Sequence, residues 1–348
     1  RAPGAVRGAG TVGPVNVRGK SPVTRISREV VVHDQCRCTL PVYSGNLGPG
    51  GTGRGAALKA QVRLDLLHGS LAGPLLHPGR AQDRTSPLRR LPVDPQSLHL
   101  SDTGYFSLAV LASIAAQAAY SLTRLPVQVA VFVADERVAL PTWLATHRAR
   151  RWEQTVTLGA TARLPMRLLV DRVPRAVAAE RRARLRHEAR RKGQTVSKAR
   201  LRLARWTVLV TDVPRDRLTI AEALALGQAR WQIELLFKLW KQHGALDESR
   251  RAQPWRQLAE VVAKLLGAVL QHWLILVGGG WTLAERSLTK MAQVVRDHVV
   301  SLAYAFGSVP SLLAVVAALG RCLEGCRLNR RHAAPNTCDR LRTVTTVA

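Results

Sequence analysis

Acidic residues are scarce in this chain of 348 residues, where 23 Asp and Glu oppose 52 Lys and Arg, a formal net charge of +29 at pH 7. Hydrophobic residues nevertheless make up 47% of the sequence. That fraction excludes a disordered basic tail, because disorder pairs high charge with few apolar side chains. A folded protein of this charge favours a polyanionic partner, and nucleic acid is the commonest one.

Cysteine is also scarce: five residues, an odd number, do not form a disulfide framework and indicate the reducing cytoplasm. Residues 1–28 contain no long apolar run, so we expect a loop or tail there and no signal peptide. Residues 258–277 carry three ionisable groups, and Gly and Pro interrupt the uncharged run at 299–320. These features predict packed helices and no membrane span.

The order of apolar patterns predicts an α/β fold with a mixed sheet. A Gly-rich segment at 48–55 contains G-x-G-x-x-G, but no helical pattern follows it, so we predict a loop and not a dinucleotide site. Strand patterns occupy 28–33, 59–67, 69–76, 97–101, 127–133 and 206–211. Two more strands are predicted within 155–173, around a turn at Leu164-Pro165. Helices are predicted at 107–120, 177–191, 220–241, 255–277 and in the C-terminal region.

The most informative segment is Gly227-Gln-Ala-Arg-Trp-Gln-Ile-Glu-Leu-Leu-Phe-Lys-Leu-Trp-Lys-Gln242. On a helix, Arg230, Glu234 and Lys241 project within a sector of about 40°, opposite an apolar stripe. This helix could therefore present a carboxylate between two cations. Periodicity alone favours an exposed helix with an Arg230–Glu234 ion pair over a functional carboxylate.

The residue identities resemble the Tyr–Arg–Glu–Lys signature of a group of bacterial insertion-sequence transposases, which are DDE enzymes with a ribonuclease-H-like fold. The resemblance implies that Glu234 completes a catalytic, metal-binding triad with two aspartates. Asp34, in Val31-Val-His-Asp-Gln-Cys-Arg-Cys-Thr-Leu-Pro41, matches the first one, and Asp102, in Leu100-Ser-Asp-Thr-Gly-Tyr-Phe106, matches the second. Asp212 and Asp65 are the rival aspartates.

The resemblance further implies the chemistry and the partners. Three carboxylates suit Mg²⁺ or Mn²⁺, with two ions about 4 Å apart serving in-line attack on phosphorus. The family implies cut-and-paste transposition, with double-stranded DNA as partner (terminal inverted repeats and target) and a homodimer in a synaptic complex. Arg230 and Lys241 are placed to hold phosphates, and Trp231 is placed to approach the DNA.

One position departs from the signature. Gly227 stands where the signature has Tyr, a residue that in the family contacts phosphate near the cleaved end. A catalytically impaired remnant that only binds DNA is therefore an alternative to an active transposase. An unrelated RNA-binding protein is a third reading, but it leaves the carboxylate between two cations unexplained.

The resemblance also divides the chain into an irregular segment (1–28), two halves of a catalytic domain (29–125 and 212–290), an insertion (126–211) and C-terminal helices (291–348). Within the insertion, residues 172–205 contain 13 Lys or Arg and two Glu. Such a one-sided excess favours contact with the DNA backbone over an ordinary solvated helix face. Arg190, Arg191 and Lys192 are the candidate contacts.

Overall fold

The structure is a computed structural model, and it describes residues 30–40, 56–79, 81, 86–249, 253–280 and 286–327. The predicted N-terminal loop at 1–28 and the Gly-rich loop at 48–55 lie outside the described residues.

Ten strands in the described ranges form one mixed sheet, in the order β3-β2-β1-β4-β5-β10-β9-β8-β6-β7. Strands β1, β4 and β5 are parallel neighbours, and the remaining pairs are antiparallel. Their bounds are β1 Val30–Leu40, β2 Ala56–Asp65, β3 Leu71–Pro78, β4 Leu98–Ser101, β5 Tyr120–Arg124, β6 Val131–Val133, β7 Glu136–Val138, β8 Arg151–Leu158, β9 Leu164–Arg172 and β10 Trp206–Thr211.

Ten α-helices lie within the same described ranges, and the last six of them follow β10 without a further strand in that part of the chain. Their bounds are α1 Leu108–Ala116, α2 Leu140–Thr146, α3 Arg175–Arg191, α4 Lys198–Leu203, α5 Ile220–Ala229, α6 Trp231–Gln242, α7 Pro254–Gly279, α8 Leu288–Asp297, α9 Val299–Ala305 and α10 Val309–Glu324. The predicted α/β class is confirmed, with a ribonuclease-H-like mixed sheet, a β-rich insertion and a helical C-terminal region.

Local sequence explains where helices α5 and α10 begin. Helix α5 starts at a capping box, in which the Thr219 hydroxyl accepts from the Glu222 backbone N–H and the Glu222 carboxylate accepts from the Thr219 N–H. Helix α10 starts at Ser308, whose hydroxyl caps the Ser311 N–H. The uncharged run at 299–320 is therefore two helices, as predicted.

The two faces of the sheet are covered by different parts of the chain. On one face, the apolar side chains of β1, β2 and β4 pack against α5, α6 and α7 in one buried cluster. A second cluster combines α1 and α2 with the insertion strands β6, β8 and β9 and with β10. The signature segment is thus packed on the face that β1 and β4 share.

Several predicted boundaries are wrong. The helix predicted at 220–241 is two helices that meet at Arg230. The strand predicted at 127–133 is shorter, Val131–Val133, and the end of the helix predicted at 107–120 belongs to β5. The turn placed at Leu164-Pro165 lies earlier, around Gly159, whose φ of +83° suits glycine. Trp273, on the apolar helix α7, is 53% exposed, whereas Trp206 of β10 is buried.

Helix α7 is the one helix in the described ranges that is long and apolar enough to cross a membrane, a test that core helices of soluble proteins also pass. Its ionisable residues bond to the rest of the chain. His272 Nε2 lies 2.6 Å from the Gly69 carbonyl, and Lys264 Nζ donates to the Ala245 carbonyl at 3.0 Å. These contacts favour the predicted packed helix over a span.

His99, in the centre of β4, is 2% exposed, and its Nε2 lies 2.9 Å from the Ser97 hydroxyl. Burial, assisted by the positive charge of Arg63, lowers the pKa of His99 to about 3. The imidazole therefore stays neutral in the folded protein at every pH at which the protein is expected to work.

This buried histidine predicts a pH dependence of stability. Below pH 6.5 the unfolded chain binds a proton that the native His99 does not, so the free energy of unfolding should fall by about 1.4 kcal/mol per pH unit between about pH 6 and pH 4 from this group alone. Urea denaturation at pH 7, 6, 5 and 4 measures the slope. His99→Leu should reduce the slope by that amount, while His187→Leu, at an exposed position, should leave it unchanged.

Candidate active site

Asp34 and Asp102 lie side by side because β1 and β4 are parallel neighbours. The pairing aligns Val32 with Leu100, and each aspartate follows its member of that pair by two residues. Side chains two residues apart on a strand project to the same face, and adjacent strands are about 4.8 Å apart. Both carboxylates therefore belong to the face on which Val32 and Leu100 are buried.

Glu234 reaches the same place from helix α6. Ile233, Leu236, Phe237 and Trp240 are buried in the cluster that contains the apolar residues of β1 and β4. Burying that stripe leaves Glu234 half-buried at the start of α6, with a side chain 32% exposed. Packing of the amphipathic helix therefore determines where this carboxylate lies.

Arg230 joins these acidic groups. Its Nη1 donates to Asp34 Oδ2 at 2.9 Å, and its Nη2 donates to Glu234 Oε1. Burial acts to lower the pKa of the guanidinium, but attraction from Asp34, the bond to Glu234 and the charge of Asp102 outweigh it, so the pKa of Arg230 is raised. The predicted cation thus bonds to two of the predicted site residues, and the charge of the third, Asp102, also acts on it.

The atoms of this cluster that could bind a metal ion are all carboxylate oxygens, the ligand type that hard divalent cations such as Mg²⁺ prefer. Among the described residues, no group of three or more His, Cys, Asp or Glu side chains is arranged to hold a metal ion. The Arg230 guanidinium bonds to both Asp34 and Glu234 and lies between these two carboxylates.

Neither rival aspartate belongs to this cluster. Asp212 accepts the backbone N–H of Ser121 at 2.6 Å and its hydroxyl at 3.2 Å, which joins the end of β10 to β5. Burial raises the pKa of Asp212, and these hydrogen bonds oppose the rise. Asp65 is 3% exposed and accepts the backbone N–H groups of Val30 and Leu67. Both aspartates hold strand ends.

The predicted DNA-contact residues of the signature have different surroundings. Trp231, next to Arg230, is 53% exposed and available to a ligand. Lys241 lies near the end of α6, where its Nζ is 3.8 Å from Asp247 Oδ2. Glu234 and Lys241 belong to the same helix, two turns apart, so the placement of Arg230 and Lys241 on either side of Glu234 stays a prediction.

The basic helix α3 exposes the predicted contacts Arg190, Arg191 and Lys192 to solvent. Arg181 on the same helix differs, because it donates to the Trp206 carbonyl and to the Thr207 hydroxyl, each at 3.2 Å. One arginine thus anchors the helix to β10. The exposed ones leave its outer face strongly cationic.

An ion pair that the sequence does not reveal positions the turn before α5. Arg167 of β9 donates to Glu153 of β8 at 2.5 Å and to the carbonyls of Val213 and Leu218 at 2.6 and 3.1 Å. These carbonyls bracket the turn that leads into the helices of the site. Opposite charges 14 residues apart carry no periodic signal, so only the pairing of the strands reveals them.

The structure predicts different effects for two aspartates. Asp212→Ala leaves the Ser121 N–H without its acceptor, so the free energy of unfolding should fall by about 1–3 kcal/mol. Asp102→Ala should change it by less than about 1 kcal/mol, because the hydrogen bond that Asp102 accepts within the described residues comes from the adjacent Thr103 hydroxyl, at 2.8 Å. Urea denaturation measures both; equal losses would contradict the distinction between them.

A family model described as "Transposase DDE domain" matches residues 45–270, which include Asp102 and Glu234 and begin after Asp34. The transposase for insertion sequence element IS231E of Bacillus thuringiensis subsp. finitimus is 24% identical over 256 residues, 66% of this chain and 53% of that protein. The IS231F transposase of subsp. israelensis is 26% identical over 243 residues, 64% and 51% of the two chains.

A shorter and closer match is the putative transposase InsL for insertion sequence element IS186A of Escherichia coli (strain K12), 36% identical over 124 residues, 34% of each chain. The chain spans about half the length of the IS231 relatives it matches. Since the family model covers well over half of the sequence, and its match includes two of the three carboxylates of the site, the chain belongs to the transposase DDE domain family.

Proposed function

We propose that this chain is the catalytic part of an insertion-sequence transposase that cleaves DNA at the element ends and transfers the strands into target DNA. The observation that carries the proposal is that Arg230 bonds to both Asp34 and Glu234, while Asp102 directly follows β4, the parallel neighbour of β1. Three carboxylates from two strands and a helix supply oxygen ligands for divalent ions. Membership of the Tyr–Arg–Glu–Lys group and a cut-and-paste pathway are part of the proposal.

The chemistry of the donor set fits Mg²⁺ or Mn²⁺, since the three side chains offer only carboxylate oxygen atoms, and two of them already share one cationic partner. Asp34, Asp102 and Glu234 would hold the ions, and we propose two. Divalent ions bound there supply charge stabilisation and an activated water or 3′-hydroxyl for in-line attack on phosphorus. The remaining task of the protein is positioning, because phosphoryl transfer needs little covalent help.

Other residues would hold the DNA. Arg230, beside the carboxylates, and the exposed Trp231 next to it are placed to contact the strand at the site. Lys241 would contact phosphate further along α6. Arg190 and its two neighbours on the outer face of α3 would contact the backbone of the same double-stranded DNA without reading its sequence.

We further propose the domain division that the sequence suggests: catalytic halves at 29–125 and 212–290, with an insertion between them at 126–211. Its support is that strands β6 to β9 extend the sheet beyond β10, away from β1. The segments at 1–28 and 291–348 complete the division. A cytoplasmic, nucleoid-associated homodimer that joins two terminal inverted repeats, with no membrane partner, follows from the same proposal.

A DNA-binding remnant is the alternative, and one observation favours it. Gly227 replaces the signature tyrosine, and a Cβ atom placed there would lie 3.5 Å from Leu209 Cδ1, against the sheet. No tyrosine hydroxyl is available from this position. Binding of DNA without metal-dependent cleavage is the result that would identify the remnant.

Loss of any one carboxylate should abolish cleavage. Asp34→Asn, Asp102→Asn and Glu234→Gln should each reduce Mn²⁺-dependent nicking by more than about 100-fold, since even groups that only support metal ligands cost 10–100-fold when lost. The substrate is a labelled duplex from the DNA flanking the coding sequence, and gel electrophoresis measures nicking. DNA binding should remain within a few-fold of that of the unaltered protein.

The matched control is Asp216→Asn, which removes the charge of an exposed aspartate in the turn before α5 and should retain nicking. Undiminished nicking in one of the three variants would remove that residue from the site. Nicking that needs no divalent ion would contradict the proposed chemistry for all three.

Neutralising the outer face of α3 should weaken DNA binding irrespective of sequence. We expect the variant Arg184→Gln/Arg190→Gln/Arg191→Gln to lose affinity equally for element-end and random duplexes. The slope of log affinity against log salt concentration should decrease by about 0.9 for each DNA phosphate that the variant no longer neutralises. Fluorescence anisotropy across a salt series measures both quantities.

Arg321→Gln, an exposed arginine near the end of α10, is the control for loss of charge alone. A loss confined to the element-end duplex would indicate base recognition by α3. That result would overturn the assignment of α3 to backbone contact.

A further inference from the structure

Three carboxylates and one guanidinium form the most concentrated charge cluster of the proposed site. Arg230 contacts Asp34 and Glu234 directly and is attracted by Asp102, so three negative charges surround one positive charge. The contact with Asp34 joins residues 196 positions apart, and the contact with Glu234 joins adjacent turns. The guanidinium thus ties the sheet to the signature helix.

A bound divalent ion and the Arg230 guanidinium would compete for the same carboxylate oxygen atoms. Asp34 Oδ2, which accepts from Arg230 Nη1 at 2.9 Å, is one of the atoms that the proposed metal site would use. The fixed fork of the guanidinium occupies the space between the two carboxylates. A divalent cation at that position would also be repelled by the positive charge of Arg230.

The position of Arg230 in the fold allows its side chain to adopt a second orientation. Arg230 lies at the junction of α5 and α6, and its side chain is 22% exposed. The next residue, Trp231, is 53% exposed. A long side chain at this junction can exchange the carboxylates for the surface beside Trp231 without disturbing the buried stripe of α6.

We propose, on the basis of the proposed function, that Arg230 is an internal counter-ion that divalent cations must displace. In the metal-free protein it neutralises part of the carboxylate charge and keeps Glu234 close to Asp34. When the divalent ions bind, Arg230 leaves the carboxylates and becomes available to a DNA phosphate. Arg230 thereby lowers the intrinsic metal affinity of its own site and couples metal loading to phosphate binding.

The direction of one affinity change tests this proposal without any measurement of cleavage. Mn²⁺ binding to the full chain, free of DNA, is measured by isothermal titration calorimetry. Arg230→Gln removes the competing cation, so Mn²⁺ should bind between about 5-fold and 150-fold more tightly, the usual range of coupling between two sites. Arg321→Gln removes an equal charge from an exposed position near the end of α10 and should leave the affinity unchanged.

Arg230→Lys provides a second variant that keeps the charge and protects the experiment against poor folding. An ammonium cannot bridge two carboxylates as a guanidinium does, so Mn²⁺ affinity should fall between those of the unaltered protein and Arg230→Gln. Equal or weaker binding in both variants would overturn the proposal if Asp34→Asn still weakens Mn²⁺ binding. If Asp34→Asn does not weaken it, the proposed metal site itself fails, and the counter-ion role fails with it.

Release of Arg230 to phosphate has its own test, a double-mutant cycle in metal-free buffer. Asp34→Asn should raise affinity for duplex DNA, because it removes a negative charge and also frees the guanidinium. The gain should be larger with Arg230 present than in the Arg230→Gln background, where only the charge effect remains. Equal gains would show that displaced Arg230 does not bind phosphate, and would overturn that half of the proposal.

Discussion

Parallel pairing of β1 with β4 is the constraint on which the site depends. The alignment of Val32 with Leu100 places Asp34 and Asp102 at the same level on neighbouring strands. Hydrogen bonds between the paired strands keep them about 4.8 Å apart, so the two carboxylates lie close together despite their mutual repulsion. A shift of one residue in this register would send one of the two aspartates to the opposite face.

Such closeness of like charges requires compensation, and the chain provides it from the signature helix. Burial of Trp240 and its apolar neighbours positions α6, which delivers both Glu234 and the Arg230 cation that opposes it. Because Arg230 also contacts Asp34, one side chain balances charges from three elements. The negative charge of these acidic side chains is therefore partly neutralised within the fold itself.

Elsewhere, acidic residues form hydrogen bonds and ion pairs that join parts of the sheet. The two aspartates that rivalled the site residues each accept backbone N–H groups near strand ends, and Glu153 holds Arg167 beside the turn into α5. The chain has 23 acidic residues against 52 basic ones, so most basic residues have no acidic counterpart. Helix α3 carries part of this excess on exposed arginines such as Arg190 and Arg191.

The amino-acid sequence by itself determined the α/β class, the amphipathic signature segment and the three acidic residues, because hydrophobic period and residue identity are local properties. It did not determine the break at Arg230 or the contact of Lys241 with Asp247, since an ideal helical projection ignores both the turn into the next helix and acidic residues from other segments. Only the tertiary structure decided which aspartates meet, because strand register depends on contacts between residues far apart in the chain. It also decided that Arg230 lies between the carboxylates, a position that no spacing along one helix can specify.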